Sequence, residues 1–151
     1  MRTLVLGIGN PLMSDDGVGL RVLEALSGQL PALDDVDYLD AGTLSLLLLP
    51  RFEHCDALLV LDAAQLGGSP GDLCVLHGAD MDAFFRNARG SVHEVGIRGL
   101  LDAARLTSTL PSRRAFVGVQ PQRVAIGSSL SPSLHASIAP AAAHARAILE
   151  A

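Results

Sequence analysis

Apolar positions along the chain follow two alternating periods. Short unbroken apolar runs read as buried strands. Stretches with an apolar residue every three to four positions read as helices with one buried face. Thr3 to Ile8 is the first run, closed by the turn-forming Gly9-Asn10-Pro11. Ser14 is placed to cap a helix carrying Val18, Val22 and Leu26 on one face, with Asp15 and Asp16 in its first turn. Val36 to Leu39 predicts a second strand ending at "DAGT", and Leu44 to Phe52 a helix for which Thr43 can serve as cap. Ala57 to Ala63, "ALLVLDA", is the clearest strand and has Asp62 near its end. After the loop "GGSPGD" comes a strand at Leu73 to Leu76, then a short helical segment at Asp80 to Phe85 and a polar loop at Asn87 to Ser91. Ile97 to Leu106 predicts a helix. "RAFVGVQP" and "RVAIGSS" predict two short strands, and Ser131 to Ala151 a closing Ala-rich helix with Pro132 near its first turn and Pro140 inside it.

Strands alternating with helices predict one α/β domain over residues 1–151 with a mostly parallel sheet. In such sheets ligands bind beyond the carboxyl ends of the strands, where strand order reverses. With an order beginning 2-1-3, Asp15 and Asp16 after the first strand and Asp62 at the end of the third face one crevice.

Composition narrows what that crevice binds. The net charge is −5 and every basic residue is arginine, with no basic stripe or aromatic platform, so no nucleic-acid partner is expected. No apolar run approaches the roughly 20 residues of a membrane span, so no membrane insertion is expected. The N-terminus runs straight into a strand, without a charged region and cleavage site, which predicts a cytoplasmic protein. Cys55 and Cys74 lie on separate segments and read as reduced core residues.

The stretch "GIGNPLMSDDGVG" has the look of a phosphate-cradling turn, but Leu12 stands where the dinucleotide fingerprint needs its third glycine. Two aspartates in the first helical turn would also repel a pyrophosphate. A lone acid there complements the helix dipole, and this is the expected role of Asp15. Adjacent helical residues point about 100° apart, so at most one of the pair is well aimed at the crevice. Carboxylates from two neighbouring strand ends make a cation site, for which an imidazole would suit a transition metal as third ligand. The candidates are His54, His77, His93, His135 and His144; His93 lies in a loop, "GSVHEVG", of the kind that overhangs strand-end crevices. HExxH and G-x-S-x-G are absent, and "DAGT" lacks the pattern of an aspartic-protease triplet.

Taken in order, these pieces resemble the hydrogenase maturation endopeptidases. "GIGNPLMSDDGVG" is similar to the family's opening G-x-G-N-x-L-x-x-D-[DE]-G-x-G, "DAGT" to its D-x-G-T, and "VLDAAQLGGSPGDL" to its D-A followed by a P-G turn. "SVHEVGIRGLL" resembles its S-x-H-[DEQ] loop and helix, and "VGVQP" its late strand. The resemblance implies a twisted five-stranded sheet between helices. It also implies Asp16, Asp62 and His93 as the metal-contacting and catalytic residues. The implied activity is removal of a short C-terminal extension from the precursor of the nickel-iron hydrogenase large subunit. The nickel would come with that substrate, leaving no permanently bound cofactor in the enzyme. Cleavage could use metal polarisation of the carbonyl, an activated water or a carboxylate base. A non-cleaving metallocentre chaperone of the large subunit is the alternative. Peptidyl-tRNA hydrolase shares the G-[LI]-G-N-P opening, but Leu12 and the two aspartates replace what it requires next.

Overall fold

The apolar runs of the sequence become the inner strands of a three-layer α/β domain, seen in a computed structural model that describes residues 1–42, 46–88 and 92–151. The strands are β1 (Thr3–Ile8), β2 (Val36–Gly42), β3 (Ala57–Ala63), β4 (Leu73–His77) and β5 (Arg113–Val119). The helices are α1 (Val18–Ser27), α2 (Gly78–Asn87), α3 (Val92–Leu106) and α4 (Pro132–Glu150). One five-stranded sheet has the order β2-β1-β3-β5-β4, so it does open 2-1-3. Every pairing is parallel except that of the edge strand β4 with β5.

Alternation along each strand divides the core in two. Val5, Leu59, Leu61, Val117 and Val119 pack against α1 and α4. Leu4, Leu6, Leu58, Val60 and Phe116 pack against α2, α3 and Phe52. Fully buried central strands covered on both faces are what a parallel sheet requires, and they explain the unbroken apolar runs of β1 and β3. Cys55 and Cys74 are both partly buried against the second cluster.

Three elements depart from the sequence expectation. The segment expected as a helix from Leu44 is a 3-10 helix over Leu46–His54. Pro50 inside it has no N–H to donate and would crowd the carbonyl four residues back in an α-helix. Thr43 and Leu44 lie outside the described residues, as do Arg89 to Ser91 of the expected polar loop. The strand expected in "RVAIGSS" is absent: both edges of β5 are already taken by β3 and β4, and the segment instead folds back over the turn after β1. His93 does not lie in a loop, because α3 begins at Val92 and carries it in the first turn.

Candidate metal-binding and catalytic site

The turn after β1 folds tightly around its own aspartates. Gly9 sits at a φ of +141°, and a Cβ there would lie 2.1 Å from the carbonyl oxygen of Asp16. A Cβ on Gly17 would meet Pro11 at 2.9 Å, and one on Gly19 would meet the carbonyl oxygens of Ile8 and Leu61 at 2.5 Å. The glycines let a 3-10 turn at Ser14–Gly17 and the start of α1 nest against the ends of β1 and β3.

The two aspartates of that turn part company. Asp15 is completely buried. Its Oδ2 accepts hydrogen bonds from the N–H of Gln122 at 2.9 Å, the N–H of Arg123 at 2.8 Å and the hydroxyl of Ser131 at 2.8 Å. Its Oδ1 accepts the N–H of Ser131 at 2.7 Å. Burial alone would raise its pKa, but these bonds outweigh burial and hold it below the usual carboxylate value. Asp15 therefore anchors the 121–131 segment. The dipole-compensation role expected of it is a correction the structure makes, because its carboxylate turns to a distant loop. Ser14 is corrected too: it caps nothing and donates its hydroxyl to the carbonyl of Ala125 at 2.8 Å.

Asp16 points the other way. Its Oδ2 accepts the N–H of Asn10 at 2.9 Å, and the same oxygen stands 3.5 Å from Nε2 of His93. Asp62, on β3, faces the α3 side of the sheet because Leu58 and Val60, four and two positions earlier, do so. Its neighbour across the ladder is Gly118, where the Phe116 ring and Cys74 occupy the space a Cβ would take. Its Oδ1 lies 3.5 Å from Nδ1 of His93. The imidazole thus bridges two carboxylates from neighbouring strand ends, one at each nitrogen, with all three groups brought to one edge of the sheet.

The electrostatics of this trio are unbalanced. Asp62 is 1% exposed, and among the described residues neither of its oxygens, nor Nδ1 of His93, makes a hydrogen bond. Burial pushes the Asp62 carboxyl up to about 7, with Asp16 adding to the rise and His93 holding it back. The His93 pKa is raised above its ordinary value, chiefly by Asp62, with Asp16 and Glu94 contributing against burial. A buried carboxylate without donors is destabilised unless a proton or cation reaches it. Carboxylates and an imidazole are a donor set suited to a borderline divalent ion. Among the described residues, however, no three His, Cys, Asp or Glu side chains are arranged to hold an ion as they stand. The imidazole showing one nitrogen to each acid is the geometric reason.

The other histidines are elsewhere. His77 ends the antiparallel β4 and so lies at the opposite edge of the sheet, while His54, His135 and His144 are exposed. Asp40 is exposed and accepts the N–H of Gly42 at 2.9 Å. A cavity of about 310 Å³ opens beside Asp16, walled by Ala64, Gln65, Glu94, Pro121 and Val124. A larger one, about 480 Å³, lies at the far edge among the strand starts and holds none of the three residues. The sequence did not announce Gln120, a buried side chain that shapes the near cavity. Its Oε1 accepts the N–H of Leu66 at 2.6 Å, and its Nε2 donates to Gln65 at 2.9 Å and to the carbonyl of Pro121 at 3.2 Å. The signal in the sequence was its place in "VGVQP", at the end of a buried strand.

The fold and site together describe an α/β protein that gathers two acids and a histidine at the carboxyl edge of a parallel sheet, around its strand-order reversal. Comparison with known proteins makes the class specific. Residues 20–148 match the hydrogenase maturation protease family. The chain is 36% identical to the hydrogenase 2 maturation protease of Escherichia coli, over 93% of this chain and 86% of that protein. It is 38% identical to the hydrogenase expression/formation protein HupD of Rhodobacter capsulatus, covering 91% of this chain but 66% of that protein. The structure of the hydrogenase maturating endopeptidase HybD from E. coli superposes with a TM-score of 0.92 at 34% identity, over 99% of this chain and 93% of that one. The chain belongs to the hydrogenase maturation protease family, a family of peptidases. Among the described residues, no helix is long and apolar enough to cross a membrane.

Proposed function

We propose that the chain is an endopeptidase that removes a short C-terminal extension from the nickel-loaded precursor of a nickel-iron hydrogenase large subunit. In this reading Asp16, Asp62 and His93 meet nickel that arrives with the substrate. The observation that carries it is the buried carboxylate of Asp62, both oxygens lacking a donor, held against His93 beside Asp16. Such a group asks for a cation, and two carboxylates with one imidazole leave coordination positions open for ligands that the substrate brings. Receiving the ion requires the imidazole to turn, so that one nitrogen faces the same point as the acids. The ion's remaining positions are then filled by ligands of the substrate, and the metal reports that insertion into the precursor is complete.

Peptide hydrolysis adds water across the scissile C–N bond and delivers a proton to the leaving amine. Asp62 and His93, the buried members of the site, are the groups placed to assist that transfer. The buried position keeps bulk water from competing for it.

The test is a cleavage assay on nickel-loaded and nickel-free precursor, read by mass spectrometry. Loss of a C-terminal fragment from the nickel-loaded form alone is expected, with or without chelator. Asp16→Asn, Asp62→Asn and His93→Ala should each reduce cutting by at least about 10–100-fold, the effect of disturbing even an outer partner of a metal site. Efficient cutting of the nickel-free form overturns the ion requirement. A stable complex without mass loss overturns the peptidase reading in favour of a chaperone.

A further inference from the structure

Two loops beside Asp16 are joined to each other and present apolar side chains outward. The backbone N–H of Gly127 donates to the carbonyl of Leu12 at 2.9 Å, and the N–H of Ser14 donates back to Gly127 at 2.7 Å. This parallel bridge, Met13 with Gly127, sets Leu12 alongside Ile126. The 121–131 segment is pinned from beneath by the four bonds to Asp15. On the outside, Leu12 is 66% exposed, Val124 51% and Ile126 87%. Val124 also walls the cavity that contains Asp16, so the lip and the acid belong to one surface.

Single exposed apolar residues are ordinary, but several large ones held together on braced loops mark a contact surface. The loops are ordered before any partner arrives, so little conformational entropy is lost when one docks. Charge narrows the partner. Across Asn10 to Met13 and Pro121 to Leu130, Arg123 is the one charged residue. A lone arginine offers little to an anionic membrane or a phosphate backbone, both of which call for clusters of basic residues. A neutral, apolar stretch of polypeptide fits.

We propose that the lip formed by Leu12, Val124 and Ile126 is a docking surface for an apolar segment of the protein that carries the ion to Asp16. The proposal rests on the substrate reading above. The precursor seats on the lip, and its metal centre then faces the cavity that Val124 shares with Asp16.

Equilibrium binding of nickel-loaded large-subunit precursor to the full chain tests this, with cleavage followed in parallel. A Leu12→Asp/Ile126→Asp double variant should bind at least tenfold more weakly with an unchanged unfolding midpoint, since both side chains are exposed. A Leu12→Met/Ile126→Leu double variant should bind as the parent does. Binding by the aspartate variant within twofold of the parent overturns the lip. If the parent binds but does not cut and the aspartate variant fails to bind, the peptidase reading falls and the lip stands. If the parent binds no precursor, the lip falls with the substrate reading. Attachment of the parent to phosphatidylglycerol vesicles that the aspartate variant loses reassigns the lip to a membrane and overturns the proposal.

Discussion

Replacing Asp15 should unfold this protein more readily than any change to its better-aimed neighbour Asp16. The carboxylate is fully buried and accepts four hydrogen bonds, three of them from backbone N–H groups. A hydrogen bond to a charged group contributes about 1.5–3 kcal/mol, and contributions within one network do not add. Removing one member of a buried charged network costs about 3–5 kcal/mol, and that range is the expectation for Asp15→Ala. A domain of this size holds about 5–15 kcal/mol in total. The melting midpoint should therefore fall by about 6–20 °C, at roughly 2–4 °C per kcal/mol. Asp15→Asn is the sharper probe. All four partners are donors, so the amide NH₂ must face at least one of them. Placed at the Oδ1 position it confronts the Ser131 N–H and leaves the three bonds to Oδ2 intact, for a loss of about 1–3 kcal/mol. The pH dependence has a definite sign. The folded pKa lies below the ordinary 3.8, so this stabilisation is complete above 3.8 and is lost as pH falls through the folded value. Urea titrations of parent and both variants at neutral and acid pH would measure it. A loss below 1 kcal/mol in Asp15→Ala, or an acid branch of its stability curve as steep as the parent's, would refute the anchoring argument.

Asp62 should behave in the opposite sense. Its folded pKa of about 7 lies above the unfolded 3.8, so the folded protein holds a proton that the unfolded chain has lost between those values, and stability falls as pH rises through that window. Asp62→Asn should raise stability by about 1 kcal/mol or more at pH 8 in thermal unfolding while abolishing processing, and equal or lower stability at that pH would count against the unpaired buried charge. Gly19→Ala should lower stability by about 1–3 kcal/mol in urea despite alanine's better helix propensity, because its Cβ would lie 2.5 Å from two carbonyl oxygens and 2.9 Å from the Cα of Asp62. An alanine variant as stable as the parent would mean that α1 stands off the sheet more freely than the contact distances allow.

The sheet was legible because its central strands are buried on both faces and so carry unbroken apolar runs. The acid-bearing strand ends were legible for a related reason: a carboxylate at the close of such a run has few structural uses. Spacing also allowed at most one of two consecutive aspartates to be well aimed at the crevice, and Asp16 is the one beside His93. What Asp15 grips was hidden, because its partners lie more than a hundred positions later and belong to a segment whose alternation imitates a strand. No local pattern reveals that both edges of β5 are already occupied. The start of α3 was hidden as well, since Gly96 and Gly99 weaken the helical signal where His93 sits. Its position before a helix made that histidine one candidate among five, and the resemblance to a family singled it out.

The three site residues come from the turn after β1, the end of β3 and the first turn of α3, in that chain order. Asp16 and Asp62 become neighbours only through the parallel pairing of β1 with β3, a non-local contact of the slowly formed kind. During synthesis the acids leave the ribosome first and the imidazole well after them. A nascent chain that ends before α3 has two of the three groups. On the proposed reading, competence for the ion is therefore acquired late, when α3 closes onto the sheet.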